Sequence, residues 1–305
     1  MKPAPQLRPA KNRPNPAINL SGTDNADIMF GDANSNTYSS GAGDDLLYAS
    51  AGSDSLSGGA GADILDYSRV NADLIFSRGG VIAKSGGLGT DIISNFDIEV
   101  VKANPNRINT IDGSTGTTAS LNVDLANNLL TINNLPRIGS ASLTVEHFQN
   151  VRGSENADII TGSNAANDLS GGAGDDLISG LFGSDKLTGG AGKDTFNFGR
   201  GDSLLDAFDR ITDLEIGVDQ IDGLIANSSV RNFGSVRSLN LSDLGQVLNN
   251  RSFDANLAAS FSLGSGSNTR TFLALNDNRA GFQANSDTVI EITGYSGSLS
   301  DLKII

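Results

Sequence analysis

The sequence predicts an all-β chain: a parallel β-solenoid in two blocks, a strand-rich spacer between them, and a small mainly-β domain at the C-terminus. Three observations carry this expectation. A nine-residue period runs through Gly22–Asp66 and again through Gly153–Asn197. Between and after these blocks, short apolar runs alternate with Gly, Asn and Asp. The spacer shows no helical pattern of useful length. A fixed internal period sets the architecture before any other signal. The expected division is a Pro-rich leader at 1–20, the first block at 21–66, the spacer at 67–152, the second block at 153–205 and a C-terminal capping domain at 206–305.

Five of the seven prolines lie in the first twenty residues, which therefore read as a disordered leader. The first block reads GTDNADIMF GDANSNTYS SGAGDDLLY ASAGSDSLS GGAGADILD. Its sixth places are Asp27, Asn36, Asp45, Asp54 and Asp63, and its eighth places are Met29, Tyr38, Leu47, Leu56 and Leu65. The second block has Asp158, Asn167, Asp176, Asp185 and Asp194 at the sixth place, with Ile160, Leu169, Ile178, Leu187 and Phe196 at the eighth. Both blocks open on Asn-Ala-Asp and place Asn in their second repeat, as a duplicated unit would.

In the spacer, Asp73–Ser77, Leu121–Leu125, Leu129–Ile132 and Leu143–Phe148 read as strands from their alternation and β-branched content. One further nonapeptide, Gly86–Ile93 with Asp91 at its sixth place, reads as a lone turn out of phase with the first block. After Asn197 the register decays through Phe198–Ser203. That stretch contains Arg200-Gly201-Asp202, and its glycines fall where the repeat would put them, so it reads as a degenerate turn rather than an adhesion tripeptide. Asp209–Asp222 reads as strand and turn, Ser242 as the cap of a short helix to Asn249, and 269–275 and 288–293 as two strands.

The period has a physical meaning. Two glycines take backbone angles closed to other residues, so six residues turn sharply. The next three form a short strand that sends the eighth-place side chain inward. Two nonapeptides make one coil, and the turns stack in two columns. Stacking neighbours are then two repeats apart: Asp27/Asp45, Asn36/Asp54, Asp45/Asp63, Asp158/Asp176, Asn167/Asp185 and Asp176/Asp194. Calcium takes 6–8 oxygens from carboxylates and carbonyls, and such a column supplies them. The carbonyls come from the glycine turns, at Gly41, Gly43, Gly59, Gly61, Gly172, Gly174, Gly190 and Gly192. Up to about three ions are expected per block, with the Asn-containing step the weakest. Asp also caps turns in metal-free solenoids. However, acids fill eight of the ten sixth places, and stacked carboxylates without an ion would repel one another.

These residues resemble the RTX (repeat-in-toxin) family, whose signature is G-G-x-G-x-D-x-U-x. The resemblance covers both blocks. It implies a parallel β-roll, calcium as the cofactor, secretion to the cell exterior or surface, and export by a type I system that reads an uncleaved C-terminal signal. The final Ser300-Asp-Leu-Lys-Ile-Ile305 resembles such a terminus, and the N-terminus lacks the apolar core of a Sec signal. Residues 269–305 resemble the C-terminal bluetail domain of cyanobacterial surface proteins. The spacer resembles the strand-forming spacers between such blocks.

Composition agrees. A net charge of −14 and a pI of about 4.3 argue against nucleic acid or an anionic membrane as partner. About six ions would add roughly +12 charge, close to cancelling it. Without Cys there is no disulfide and no thiolate metal site. No apolar run approaches the ~20 residues of a membrane span.

An enzyme finds little support in the chain. The only His is His147, which reads as a solvated strand residue; there is no H-E-x-x-H and no G-x-S-x-G. The expected function is a non-enzymatic, secreted calcium-binding protein that acts as a surface, adhesin or matrix component, with cell-surface polysaccharide or matrix as a partner. The alternative is an enzyme acting on extracellular polysaccharide along the solenoid face, which a row of exposed aromatics would favour. At 6% aromatics and no Trp, such a platform is poor.

Overall fold

The computed structural model describes residues 18–116, 118–225, 229–292 and 294–305; the Pro-rich leader falls almost wholly outside them. The chain forms a parallel β-roll of two facing sheets, one of fifteen strands and one of twelve. Each nonapeptide contributes a short strand of three to six residues, and successive strands go to opposite sheets. Thr37–Ser39 pairs in parallel with Ser55–Ser57, while Ile28–Phe30 pairs with Leu46–Tyr48 and that strand with Ile64–Asp66. The same 18-residue step recurs in Ile159–Thr161, Leu177–Ser179 and Thr195–Asn197 on one side, and in Asp168–Ala173 and Lys186–Ala191 on the other.

Alternation along these strands puts the middle residue inside. All ten eighth-place side chains, from Met29 to Phe196, are buried in one cluster. Fully burying a side chain of this size is worth about 1.5–3 kcal/mol. A coil built from short strands needs each of them, because every repeat strand buries only one apolar side chain.

Residues 67–152 are strand-rich, and their strands continue both sheets. Thr90–Ile93, Val81–Lys84 and Leu74–Ser77 form an antiparallel triplet whose outer members pair in parallel with Ser55–Ser57 and Thr110–Asp112. In the other sheet, Gly139–Glu146, Leu129–Leu135 and Ser120–Asp124 form a second triplet, flanked in parallel by Val100–Lys102 and Ile159–Thr161. An odd number of antiparallel strands returns the chain to its original direction, so the parallel roll resumes after each triplet. Residues of both repeat blocks and of the segment between them share one core cluster.

Two expectations are corrected here. The Asp91 turn does not stand alone: its strand pairs in parallel with Ser55–Ser57, placing Ile93 beside Leu56. The hairpin inserted between them lengthens the sequence step, which hid the stacking. His147 is exposed as expected, but it follows strand Gly139–Glu146 in a left-handed turn with φ 64°. Its carbonyl accepts hydrogen bonds from Asn109 and Gln149 side chains.

At the C-terminal end, Thr288–Ile292 pairs in parallel with Asp209–Ile211 and antiparallel with Arg270–Leu275, which pairs in turn with Ala258–Leu263. Lys303–Ile304 closes the other sheet against Gln220–Asp222. A second apolar cluster here includes Leu244, Phe253, Phe261 and Phe272. The helix spans Leu241–Val247 and is capped by Asn240, not Ser242; the Asn240 side chain accepts the Asp243 amide at 2.8 Å. No helix among the described residues is long and apolar enough to cross a membrane.

Candidate metal sites along the turn columns

Six of the sixth-place carboxylates use one oxygen in the same way. Oδ1 accepts the backbone N–H of the sixth-place residue one step earlier in its column. Asp45 accepts from Asp27 at 2.8 Å, Asp63 from Asp45 at 2.9 Å, Asp176 from Asp158 at 2.8 Å and Asp194 from Asp176 at 3.0 Å. In the other column Asp54 accepts from Asn36 at 2.8 Å and Asp185 from Asn167 at 2.7 Å. The structure thus brings together every expected stacking pair.

The columns also run beyond the nonapeptides. Asp91 accepts from Asp54 at 2.9 Å, Glu99 from Asp63 at 2.7 Å, Asp209 from Asp185 at 2.8 Å and Asp219 from Asp194 at 3.0 Å. Glu99, Asp209 and Asp219 were not recognised from the repeat. A signal was present: each is followed two residues later by a buried apolar residue, Val101, Ile211 or Ile221. The acid-x-apolar tripeptide survives at places where the glycines do not.

The second oxygen separates the turns into two kinds. Where the second place of the repeat is Thr or Ser, that residue's own N–H or hydroxyl meets the sixth-place side chain. Thr23 N–H donates to Asp27 Oδ2 at 2.7 Å, Ser154 N–H to Asp158 Oδ2 at 2.6 Å, Ser163 N–H to Asn167 Oδ1 at 2.7 Å and Ser50 Oγ to Asp54 Oδ2 at 3.1 Å. In the Asn36 turn the amide donates to the carbonyls of Asp32 and Asn34, the second and fourth places. These turns satisfy themselves with protons.

Where both places are left-handed backbone, no such donor arrives. Gly41, Gly43, Gly172 and Gly174 all have φ of 105–108°, and Gly59, Gly61, Gly190 and Gly192 lie between 94° and 142°. The buried Oδ2 atoms of Asp45, Asp63, Asp176, Asp185 and Asp194 accept no hydrogen bond, nor does that of Asp209, whose turn contains no left-handed residue. A buried anionic oxygen without a partner is costly. Burial pushes the carboxyls of Asp176 and Asp209 up to about 8, Asp185 to about 7 and Asp194 to about 6. Neighbouring carboxylates add to this, as Asp158 and Asp194 do beside Asp176. Asp63 is raised too, first by burial and then by Asp45, Glu99 and Asp97.

The first-place glycine makes room for these oxygens. A Cβ on Gly171 would lie 2.1 Å from Asp176 Oδ2 and 2.7 Å from the Gly189 carbonyl oxygen. On Gly189 it would lie 2.3 Å from Asp194 Oδ2, and on Gly58 2.5 Å from Asp63 Oδ2. A methyl group would fill the space in which carboxylate and carbonyl oxygens gather. Oxygen-only surroundings, anionic charge and no proton donor fit a hard divalent cation. No group of three or more His, Cys, Asp or Glu side chains gathers among the described residues; each step offers one or two carboxylates, and the remaining oxygens are backbone.

Comparison with known families agrees with this chemistry. Residues 19–47, 39–71, 150–178 and 170–205 match the family described as RTX calcium-binding nonapeptide repeat (4 copies). The chain carries calcium-binding nonapeptide repeats of the RTX type, over somewhat more than a third of its length. No curated protein matches it. Among solved structures, it resembles the AlgE6R3 subunit of the Azotobacter vinelandii mannuronan C5-epimerase at 25% identity and a TM-score of 0.33, over 52% of this chain and 77% of that one. It also resembles the extracellular lipase LipA of Serratia marcescens at 16% identity and a TM-score of 0.26, with 97% of this chain spanning 41% of the lipase.

Proposed function

We propose that this is a secreted protein whose roll is completed by extracellular calcium, and that it serves as a surface, adhesin or matrix component rather than as an enzyme. The observation that carries the calcium part is the set of six buried Oδ2 atoms with no donor. Asp45, Asp63, Asp176, Asp185, Asp194 and Asp209 would hold the ions, with the carbonyls of the glycine turns around Gly41, Gly43, Gly59, Gly61, Gly172, Gly174, Gly190 and Gly192. Bound calcium supplies two positive charges and accepts 6–8 oxygens.

The chain's own residues do the rest. Oδ1 fixes each carboxylate on the neighbouring amide, and the glycines let the turns approach. Two of the six orphan oxygens lie in the first block, three in the second and one, that of Asp209, just beyond it, so both blocks supply candidate ion sites. Because the oxygens converge only when the turns stack, ion binding and folding are coupled. At low calcium, crowded carboxylates and sparse apolar side chains disfavour the packed state, which suits threading through a type I exporter.

The non-enzymatic reading is supported by the exposed, solvated position of His147. On the outer face, Phe30 stacks on Tyr48 with ring centroids 4.7 Å apart and Arg69 sits 3.8 Å over Tyr48, a single ring pair with a cation on it rather than a row of aromatics. Circular dichroism of the full chain during calcium titration from chelator, with fractionation of the producing cells, tests the proposal. Growth of β-structure with calcium and recovery of the protein outside the cell are expected. Full β-structure in chelator would sink the coupling, and a cytoplasmic protein would sink the surface role.

A further inference from the structure

One step of the columns is filled by the chain itself. Strand Val81–Lys84 lies antiparallel between Leu74–Ser77 and Thr90–Ile93, and its last residue turns a lysine inward. The Lys84 side chain is fully buried. Its Nζ lies 2.5 Å from Asp91 Oδ1 and 3.6 Å from Asp54 Oδ2, and it donates to the Ser50 carbonyl at 2.8 Å. Asp54 and Asp91 are consecutive rungs of one column, linked by the Asp54 N–H to Asp91 Oδ1 bond. Ser50 is the second place of the Asp54 turn.

The ammonium therefore touches two stacked carboxylates and a turn carbonyl. That is the kind of oxygen set the other steps leave without a donor. The remaining oxygens are also served. The Tyr67 hydroxyl donates to Asp91 Oδ2 at 2.6 Å, and Ser50 Oγ donates to Asp54 Oδ2. Neither Asp54 nor Asp91 is among the carboxylates with an orphan oxygen. A buried lysine needs a counter-charge, but one carboxylate would be enough; Lys84 bridges two successive turns.

We infer that Lys84 is a built-in cation that replaces calcium at the Asp54–Asp91 step, so that this column is closed there without metal. The inference rests on the calcium reading above. It assigns the inserted hairpin a purpose: to carry a tethered positive charge into the column where the regular repeats stop.

The test compares calcium stoichiometry, by isothermal titration on the full chain, for wild type, Lys84→Ala and the triple variant Lys84→Met/Asp54→Asn/Asp91→Asn. Lys84→Ala should bind one more calcium than wild type, and its melting temperature should rise more steeply with calcium. The triple variant should bind the same number of ions as wild type, because the step holds none. Loss of an ion in the triple variant, or wild-type stoichiometry in a folded Lys84→Ala, would overturn the inference. If Lys84→Ala does not fold even in calcium, the triple variant decides alone. If wild type binds no calcium, it is the calcium reading that fails.

Discussion

At most turns the sixth-place carboxylate caps the amide of a neighbouring turn through Oδ1, and what meets Oδ2 decides what the turn does. In two turns an Asn amide stands in the acid's place; elsewhere Oδ2 meets a Ser or Thr donor, the Tyr67 hydroxyl at Asp91, the Glu215 N–H at Asp219, or nothing. The last class has a consequence for pH. Burial raises the carboxyls of Asp176, Asp185, Asp194 and Asp209 from an ordinary 3.8 to between about 6 and about 8 in the metal-free fold. The metal-free folded state then binds protons more tightly than the unfolded state. Its stability is greatest below about pH 4 and declines as pH rises through 6 to 8. In calcium the sign reverses, since protons and the cation compete for the same oxygens. In chelator, β-structure by circular dichroism should therefore be greater at pH 5 than at pH 8, while thermal melts in calcium should rank the two pH values the other way. The same order in both conditions would rule out these carboxylates as the linked groups.

The turns that leave Oδ2 open at Asp45, Asp63, Asp176, Asp185 and Asp194 have left-handed backbone at their second and fourth places. In the Asp185 turn the second place is Leu181, at φ 65°, and the fourth is Gly183, at φ 133°. A non-glycine residue in that region costs roughly 1–2 kcal/mol, partly offset because glycine loses more entropy on folding. Leu181→Gly should raise stability in calcium by up to about 1 kcal/mol, read as an increase in melting temperature. Gly190→Ala should do the opposite. Its φ is 106° and its Cβ would lie 1.9 Å from the Gly172 carbonyl oxygen. A loss of well over 1 kcal/mol is expected, together with weaker calcium binding at Asp194. An unchanged calcium isotherm for Gly190→Ala would show that the glycine turn does not shape the site.

At the scale of the molecule, the repeat blocks are joined by pairing rather than by a linker. Ile111 lies in parallel register between Phe76 and Val151 and is buried. Ile111→Ala should cost about 2–5 kcal/mol. If the blocks fold together, calorimetry in calcium will show one transition, shifted as a whole. Two transitions, with only one shifted, would mean that the blocks melt independently. The C-terminal strands give the roll a finished end. Arg270 makes a bidentate pair with the buried Glu291 and lies 5.0 Å from the Phe272 ring centroid. Phe272 stacks on Phe261 at 5.3 Å, so the apolar edge of the last sheet meets a second core rather than water.

The period of nine, the alternation of one inward residue per strand and the acids at the sixth place are local facts. They determine the short strands, the two columns and the stacking pairs from Asp27/Asp45 to Asp176/Asp194, because a strict period leaves each repeat only one neighbour to stack upon. What lies outside the period was decided by tertiary pairing. Asp91 joins the Asn36–Asp54 column only because an antiparallel hairpin removes the intervening residues from the step. Glu99, Asp209 and Asp219 extend the columns at irregular spacings, held by sheet register rather than by glycine. The division of carboxylates into capped and orphaned is likewise three-dimensional, since it depends on whether a donor reaches Oδ2. Lys84 shows the difference most clearly. In the sequence it is one cation in a strand-like run, and its role is set by the fold that brings it between Asp91 of the next strand and Asp54 of the preceding block.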